Sequence, residues 1–511
     1  MTPKLWTSLI LLNALSGVSA FWRMECRGRT ALARMDPLMS VGTTAQHAHT
    51  IHGSSGFSES ATYDSIMAGN CTSCAVTEDL SAYWTPAMYF QYANGTFELV
   101  QQDGGMLAYY LLRDPNNDVQ GFPEGFRMIA GDTLRRNYTL GDASQPDPPQ
   151  SNWAALGQTN QSDLAQRALG FNCLNYNIEA EGSLYRHFMP EKSYLDANCP
   201  DGLRLELAFP SCWNGQDVDS DDHQSHMAYP DLVQDGECPE GFETRLVTLF
   251  YETIWATYNY EGIDGSFVLA NGDPTGYGYH GDFMTGWDVD FLQSAVDQCT
   301  SLTGLIEDCP LFTIQSEDTQ RQCTIEQMPT LLKLENVLGG VADALTALPG
   351  NVAIQYGPEP VTLGSATATS DVVATTPSTY SAPSLTYVPG SSTPGGVFLQ
   401  SSETTSSGGG ATIQEVPKAS TSSTSSTSSA ASPTTTPAPT TAADVSVQYE
   451  TVSTSYMTNG ASVQEVVYEE AVVYVTEDVV TTVTVSPSAK TMKKRRHGDH
   501  LLRHRHHAGH H

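Results

Sequence analysis

The chain has 511 residues, enough for one large domain or two ordinary ones, and a formal charge of −33. Such an acidic field repels nucleic acid and anionic membranes, and mildly disfavours a polyanionic glycan as substrate. Ten cysteines in a chain of this kind point away from the reducing cytosol and towards structural disulfides.

The N-terminus, "MTPKLWTSLILLNALSGVSA", has a basic n-region at Lys4, an apolar run and a small-residue cleavage site at Val18-Ser19-Ala20. Residues 1–20 are therefore expected to be a secretory signal peptide, too short in its apolar run to span a bilayer. The next region, 21–328, has globular composition and holds every cysteine and the four sequons at Asn70, Asn94, Asn137 and Asn160. Short runs such as "FELVQQ", "GLRLELAFP" and "RLVTLFYETIW" are separated by Gly, Pro, Asn and Asp clusters, which favours strands and long loops. Helices are expected over Ser162–Leu169 and Asp288–Gln298, where apolar residues recur at helical spacing behind a capping residue. The predicted fold is mainly β: a disulfide-stapled β-sandwich or jelly roll with long loops and a few short helices. "CTSC" at Cys71–Cys74 reads as two structural disulfide partners, since a sequon at Asn70 marks an exposed secreted loop.

Residues 329–363 form a connector with a possible amphipathic helix, weakened by two adjacent glycines. From 364 to 443 the chain is Ser/Thr/Pro-rich and reads as a glycosylated stalk without a core. Residues 444–486 alternate in strand fashion, and 487–511 form a basic, His-rich tail. That tail lacks the hydrophobic end a GPI anchor needs, so neither an anchor nor a transmembrane segment is expected.

Seven histidines lie in the globular region. His47, His49 and His52 sit in "QHAHTIHG", His187 in "YRHFMP", His223 and His226 in "DSDDHQSHMAYPD", and His280 in "NGDPTGYGYHGDFMTGWD". A two-residue spacing puts His47 and His49 on one face of a strand, while His52 breaks that period. His187 reads as a solvated loop histidine. His-x-His with His-x-x-His, plus His280 or Asp282, can build a site for a divalent first-row metal ion. The same groups without metal can serve as acid and base beside a carboxylate. No nucleophile elbow, P-loop or dinucleotide fingerprint is present.

These segments, together with "SAYWTPAMYF" (Ser81–Phe90), "FPEGFRMIAG" (Phe122–Gly131), "LRLELAFPSCWNGQDVDSDDHQSHMAYP" (Leu203–Pro230) and "CPEGFETRL" (Cys238–Leu246), resemble a secreted fungal family, the domain of unknown function 1996. The resemblance covers roughly Met35 to Cys299 and implies secretion, often with Ser/Thr-rich or wall-binding extensions, but no reaction. The residues it carries over are His47, His49, Cys212, Trp213, His223, His226, Asp273, His280, Asp282 and Trp287. "CPEGFET" departs from the family's usual run by contributing no histidine.

The leading expectation is an extracellular, cell-wall-associated protein that cleaves a polysaccharide at a His/Asp site. His223 or His280 acts as general base or acid, and Asp282 orients a histidine or donates a proton. His47, His49 and His226 bind metal or a sugar hydroxyl. Trp84, Trp213, Trp287 and Asp273 bind the sugar. The alternative is a non-catalytic cell-wall or metal-binding structural protein. An enzyme should show an open, aromatic-walled cleft, and a structural metal site should be closed.

Overall fold

The computed structural model describes residues 20–116, 118–340 and 343–361, and the backbone of 448–459 and 462–472. The expected signal peptide up to residue 19, the stalk and the His-rich tail lie outside the described residues. The chain divides into two units, 1–405 and 406–511. In the second, Gln448–Asn459 pairs antiparallel with Ser462–Val472, within the segment whose alternation suggested strands.

The first unit is mainly β. Its strands in chain order begin with β1 (Phe21–Cys26), β2 (Ala31–Ala33), β3 (His49–Gly53), β4 (Ala82–Pro86), β5 (Met88–Tyr92) and β6 (Phe97–Leu99). There follow β7 (Gln102–Leu111), β8 (Arg127–Gly131), β9 (Leu169–Cys173), β10 (Leu203–Ala208), β11 (Cys212–Trp213) and β12 (Met227–Ala228). The last are β13 (Thr244–Arg245), β14 (Thr248–Trp255), β15 (Gly265–Leu269), β16 (His280–Met284) and β17 (Gly304–Leu305). One six-stranded sheet runs β17-β1-β7-β14-β10-β9, and a five-stranded sheet runs β2-β3-β4-β16-β8. Two smaller sheets, β15-β5-β6 and β12-β11-β13, complete the unit.

The two larger sheets pack face to face. Tyr83, Phe283, Met128 and Ala130 from the five-stranded sheet meet Ala108, Tyr110, Leu205, Leu207 and Tyr251 from the six-stranded one in a single buried cluster. Alternation along each strand produces this, because every second side chain shares a face. Gly281 marks the closest approach: a Cβ there would stand 2.6 Å from Leu207 and 3.2 Å from Tyr251. The opposite face of the five-stranded sheet is buried too. Ala31, Ala33, Ile51, Ala82, Trp84, Ile129 and Met284 pack beneath Met35, Leu38, Phe57, Ile66 and Leu332, which come from the loops after β2 and β3 and from the segment after residue 328.

The two expected helices form at Gln161–Arg167 and Val289–Gln298, capped by the Asn160 and Asp288 side chains. Five disulfides staple the loops: Cys26–Cys74, Cys71–Cys323, Cys173–Cys199, Cys212–Cys238 and Cys299–Cys309. The two cysteines of "CTSC" thus have different partners. Among the described residues of the connector, only Thr330–Leu334 is helical. Its later part lies along the β-core, with Phe97 bridging to Leu345 and the Arg136 guanidinium donating to the Gln355 carbonyl at 3.0 Å.

Candidate metal centre

Register decides which histidines meet. In β3, His49 pairs with Pro86 of β4, and Ile51 with Trp84. On the other side of β4, Asp282 of β16 pairs with Trp84. His49, Ile51, Trp84, His280 and Asp282 therefore share one face, the one turned away from the six-stranded sheet. His280 stands two strands from His49, with only the short ring of Pro86 between them. His47 reaches the same place from the loop entering β3.

The three imidazoles converge. Ring centroids are 4.3 Å apart for His47 and His49, 5.1 Å for His47 and His280, and 5.9 Å for His49 and His280. One ligand nitrogen of each lies within 4.8 Å of the others. His47 Nε2 and His280 Nε2 are 3.1 Å apart. A tetrahedral ion bound at about 2.0–2.1 Å from each nitrogen needs about 3.3 Å between them, so the spacing fits. The Gly278 carbonyl accepts from His280 Nδ1 at 3.0 Å, which leaves the Nε2 lone pair free to face the other two rings. Neither nitrogen of buried His49 makes a well-aligned hydrogen bond, although the Met35 backbone lies close enough to favour its protonated form slightly. An unsatisfied buried polar group costs about 1–3 kcal/mol, which an arriving ion would offset.

All three rings are kept neutral. Burial lowers His47 and His49 well below the usual imidazole range; His49, His280 and Arg136 add to it at His47, and His280 adds to it at His49 against the Met35 backbone. Burial, with a smaller contribution from Arg136, brings His280 down to about 4, against the Gly278 carbonyl and Asp132. Neutral imidazole is the form that ligates a metal. Burial is uneven: His49 and His280 are enclosed, while His47 remains partly exposed.

Asp282 lies two residues from His280 on the same face, 1 % exposed, with Oδ2 unpartnered. Burial first, and Asp36 second, raise its carboxyl well above the usual range. Asp36 is raised by burial too, opposed by the Leu38 and Met39 amides, by His223 and by the Trp84 indole. Asp36 was not singled out in the sequence, where "MDPL" reads as an ordinary turn and carries no chemical signal.

Other expected site residues lie elsewhere. His226 does not join the triad: its Nδ1 meets Ser220 Oγ at 2.9 Å and its Nε2 meets the Arg127 carbonyl at 3.0 Å. That loop runs along the free edge of β8, where the Ile129 amide donates to the His223 carbonyl. His223 is partly exposed, has a φ of 55° and binds Asp219 at 2.6 Å through Nδ1. Trp84 and Trp287 are core residues, 0 % and 1 % exposed, so neither presents a stacking face to solvent. Trp213 is partly exposed, its indole N–H donating to the Asp217 carbonyl at 2.7 Å.

Asp273 is wholly buried, and both of its oxygens accept from its own loop: Oδ1 from Thr275 and Oδ2 from the Gly278 amide. It therefore offers a substrate nothing. His187, expected as a solvated loop residue, is buried between the Leu169 carbonyl and Asp147. His52 faces the other side of β3, bound to the Gly28 carbonyl at 2.8 Å.

Residues 36–287, which contain the triad, match the family described as "Domain of unknown function (DUF1996)", and this segment is a domain of that family. No curated protein and no solved structure matches the chain.

Proposed function

Taking residues 36–287 as a DUF1996 domain, we propose that it binds one transition-metal ion of the zinc or copper class through His47, His49 and His280. The observation that carries this reading is the convergence of three neutral imidazole nitrogens within 4.8 Å. Imidazole sets of this kind suit zinc and copper, and three protein ligands leave a fourth position for water or a further ligand. Partly exposed His47 marks the side from which that position is reached. Five disulfides fit an oxidising, extracellular setting, and among the described residues no helix is long and apolar enough to cross a membrane.

A second reading is the cleavage of a cell-wall polysaccharide at the same place. Asp282 favours it: a buried carboxyl with an unpartnered oxygen, on the triad's own face. Against it, the expected aromatic walls at Trp84 and Trp287 belong to the core.

The test is the secreted full-length protein with bound metal measured by mass spectrometry, beside His49→Ala and His280→Ala. About one equivalent in the wild type, lost in both variants, supports the metal reading. Equal metal content in all three contradicts it. A panel of neutral glucans and chitin-like glycans, incubated with the metal-loaded protein and with Asp282→Asn, tests the second reading. No product from the loaded wild type rejects it on those substrates.

A further inference from the structure

Resting on the metal reading above, we propose that Asp273, with Arg136 and Asn271, is the positioning set that fixes His280 as a ligand. His280 needs Nδ1 protonated so that Nε2 is bare, and the Gly278 carbonyl imposes this from 3.0 Å. That carbonyl is held in turn. Asn271 Nδ2 donates to it at 2.9 Å, and the amide of the same residue, Gly278, donates to Asp273 Oδ2 at 2.6 Å. The Gly278 residue is thus pinned at both its N–H and its C=O.

Arg136 completes the clamp. It is 1 % exposed and lies 3.6 Å from Asp273 Oδ1. It also donates to the Asn271 carbonyl at 3.1 Å and the Thr133 carbonyl at 3.0 Å. A glycine is required at 278, because a Cβ there would fall 2.4 Å from Arg136 Nη1 and 3.0 Å from Asp273 Oδ2. A buried Asp–Arg pair is a poor device for stability alone, since desolvation offsets much of its attraction. It is a good device for holding one loop geometry. Metal-ligating histidines generally donate their second nitrogen to such a partner, and losing an outer partner typically costs 10–100-fold in metal affinity.

The test uses the full chain and the metal alone. Zinc affinity is measured by competition with a chelator, and the visible ligand-field spectrum is read on the cobalt(II) form. Asp273→Asn keeps the shape but turns a donor towards the Gly278 amide, and should weaken zinc about tenfold or more and shift the cobalt bands. Asn271→Ala should act in the same direction by a smaller factor, and decides the matter if Asp273→Asn does not fold. Asp273→Glu should not reproduce the wild-type spectrum, because the added methylene moves the carboxylate off the Thr275 and Gly278 amides that Asp273 accepts from. The proposal is overturned if the folded variants match the wild type in both affinity and spectrum while His280→Ala loses the metal. Absence of metal from the wild type itself would instead remove the metal reading on which the proposal stands.

Discussion

The two faces of the five-stranded sheet differ in how their polar groups are paired, although His52 Nε2 on the inner side has no partner either. On the inner side, Asp79, Tyr83, Tyr110 and Trp287 form a closed network. Tyr83 donates to Asp79, its hydroxyl lies 2.6 Å from that of Tyr110, and the Trp287 indole donates to Tyr110 at 2.9 Å. The Ser81 amide satisfies the other oxygen of Asp79. On the outer side, both nitrogens of His49 and one oxygen of Asp282 have no partner. Buried polar groups are normally paired. A satisfied network holds the sandwich together. The unsatisfied ligand atoms on the outer face are the ones the proposed ion would satisfy.

Breaking the inner network should cost stability and leave metal binding alone. Trp287→Ala removes a fully buried indole and is expected to cost about 3–5 kcal/mol, read by denaturant unfolding. The next effect is pH-dependent. His52, on the inner side, is brought down to about 4 by burial, against its usual 6.5. Its contribution is complete above pH 6.5 and is lost as pH falls towards 4, by up to about 3 kcal/mol. His52→Gln should therefore flatten the acid limb of the stability profile measured between pH 7 and pH 4.

Tyr83→Phe leaves Asp79 and Tyr110 short of a partner, and about 1–3 kcal/mol should go with it. The outer face should give the opposite sign. His49→Leu replaces two orphaned nitrogens with hydrocarbon and should hold or raise the stability of the metal-free protein by about 1 kcal/mol, while abolishing metal binding. A loss of stability as large as that of Tyr83→Phe would show that His49 is an ordinary core residue.

Much of this was legible in the residues, and the remainder was hidden for definite reasons. The β architecture followed from short alternating runs between turn clusters, and the helix at 289–298 from the helical spacing of Val289, Leu292 and Val296; the helix at 161–167 starts earlier than expected, capped by Asn160 and not by Ser162. His47 and His49 were readable as a pair because a strand has period two. The choice of His280 over His226 as their companion was not readable. It depends on how β16 and β3 register across β4, a non-local pairing between residues more than 200 positions apart. His223 and His226 carry the same local signal but lie along the edge beyond β8. Arg136 and Asp36 gave no signal, because their roles come from loops that only the folded sheet brings together; Asn271 lies in the loop of His280 itself, where an asparagine in a turn-rich run has no distinctive signature. Trp84 and Trp287 were offered as sugar platforms, yet their size and apolarity place them where large aromatics most often go, inside.

X-ray absorption at the metal edge of the full-length protein reads the proposed ligand set itself. About one ion per chain is expected, with a first shell of three imidazole nitrogens at about 2.0–2.1 Å and one further oxygen or nitrogen ligand, reduced to two imidazoles or lost in His280→Ala. A shell containing sulfur, a shell of oxygen alone, or an unchanged spectrum in His280→Ala would contradict it.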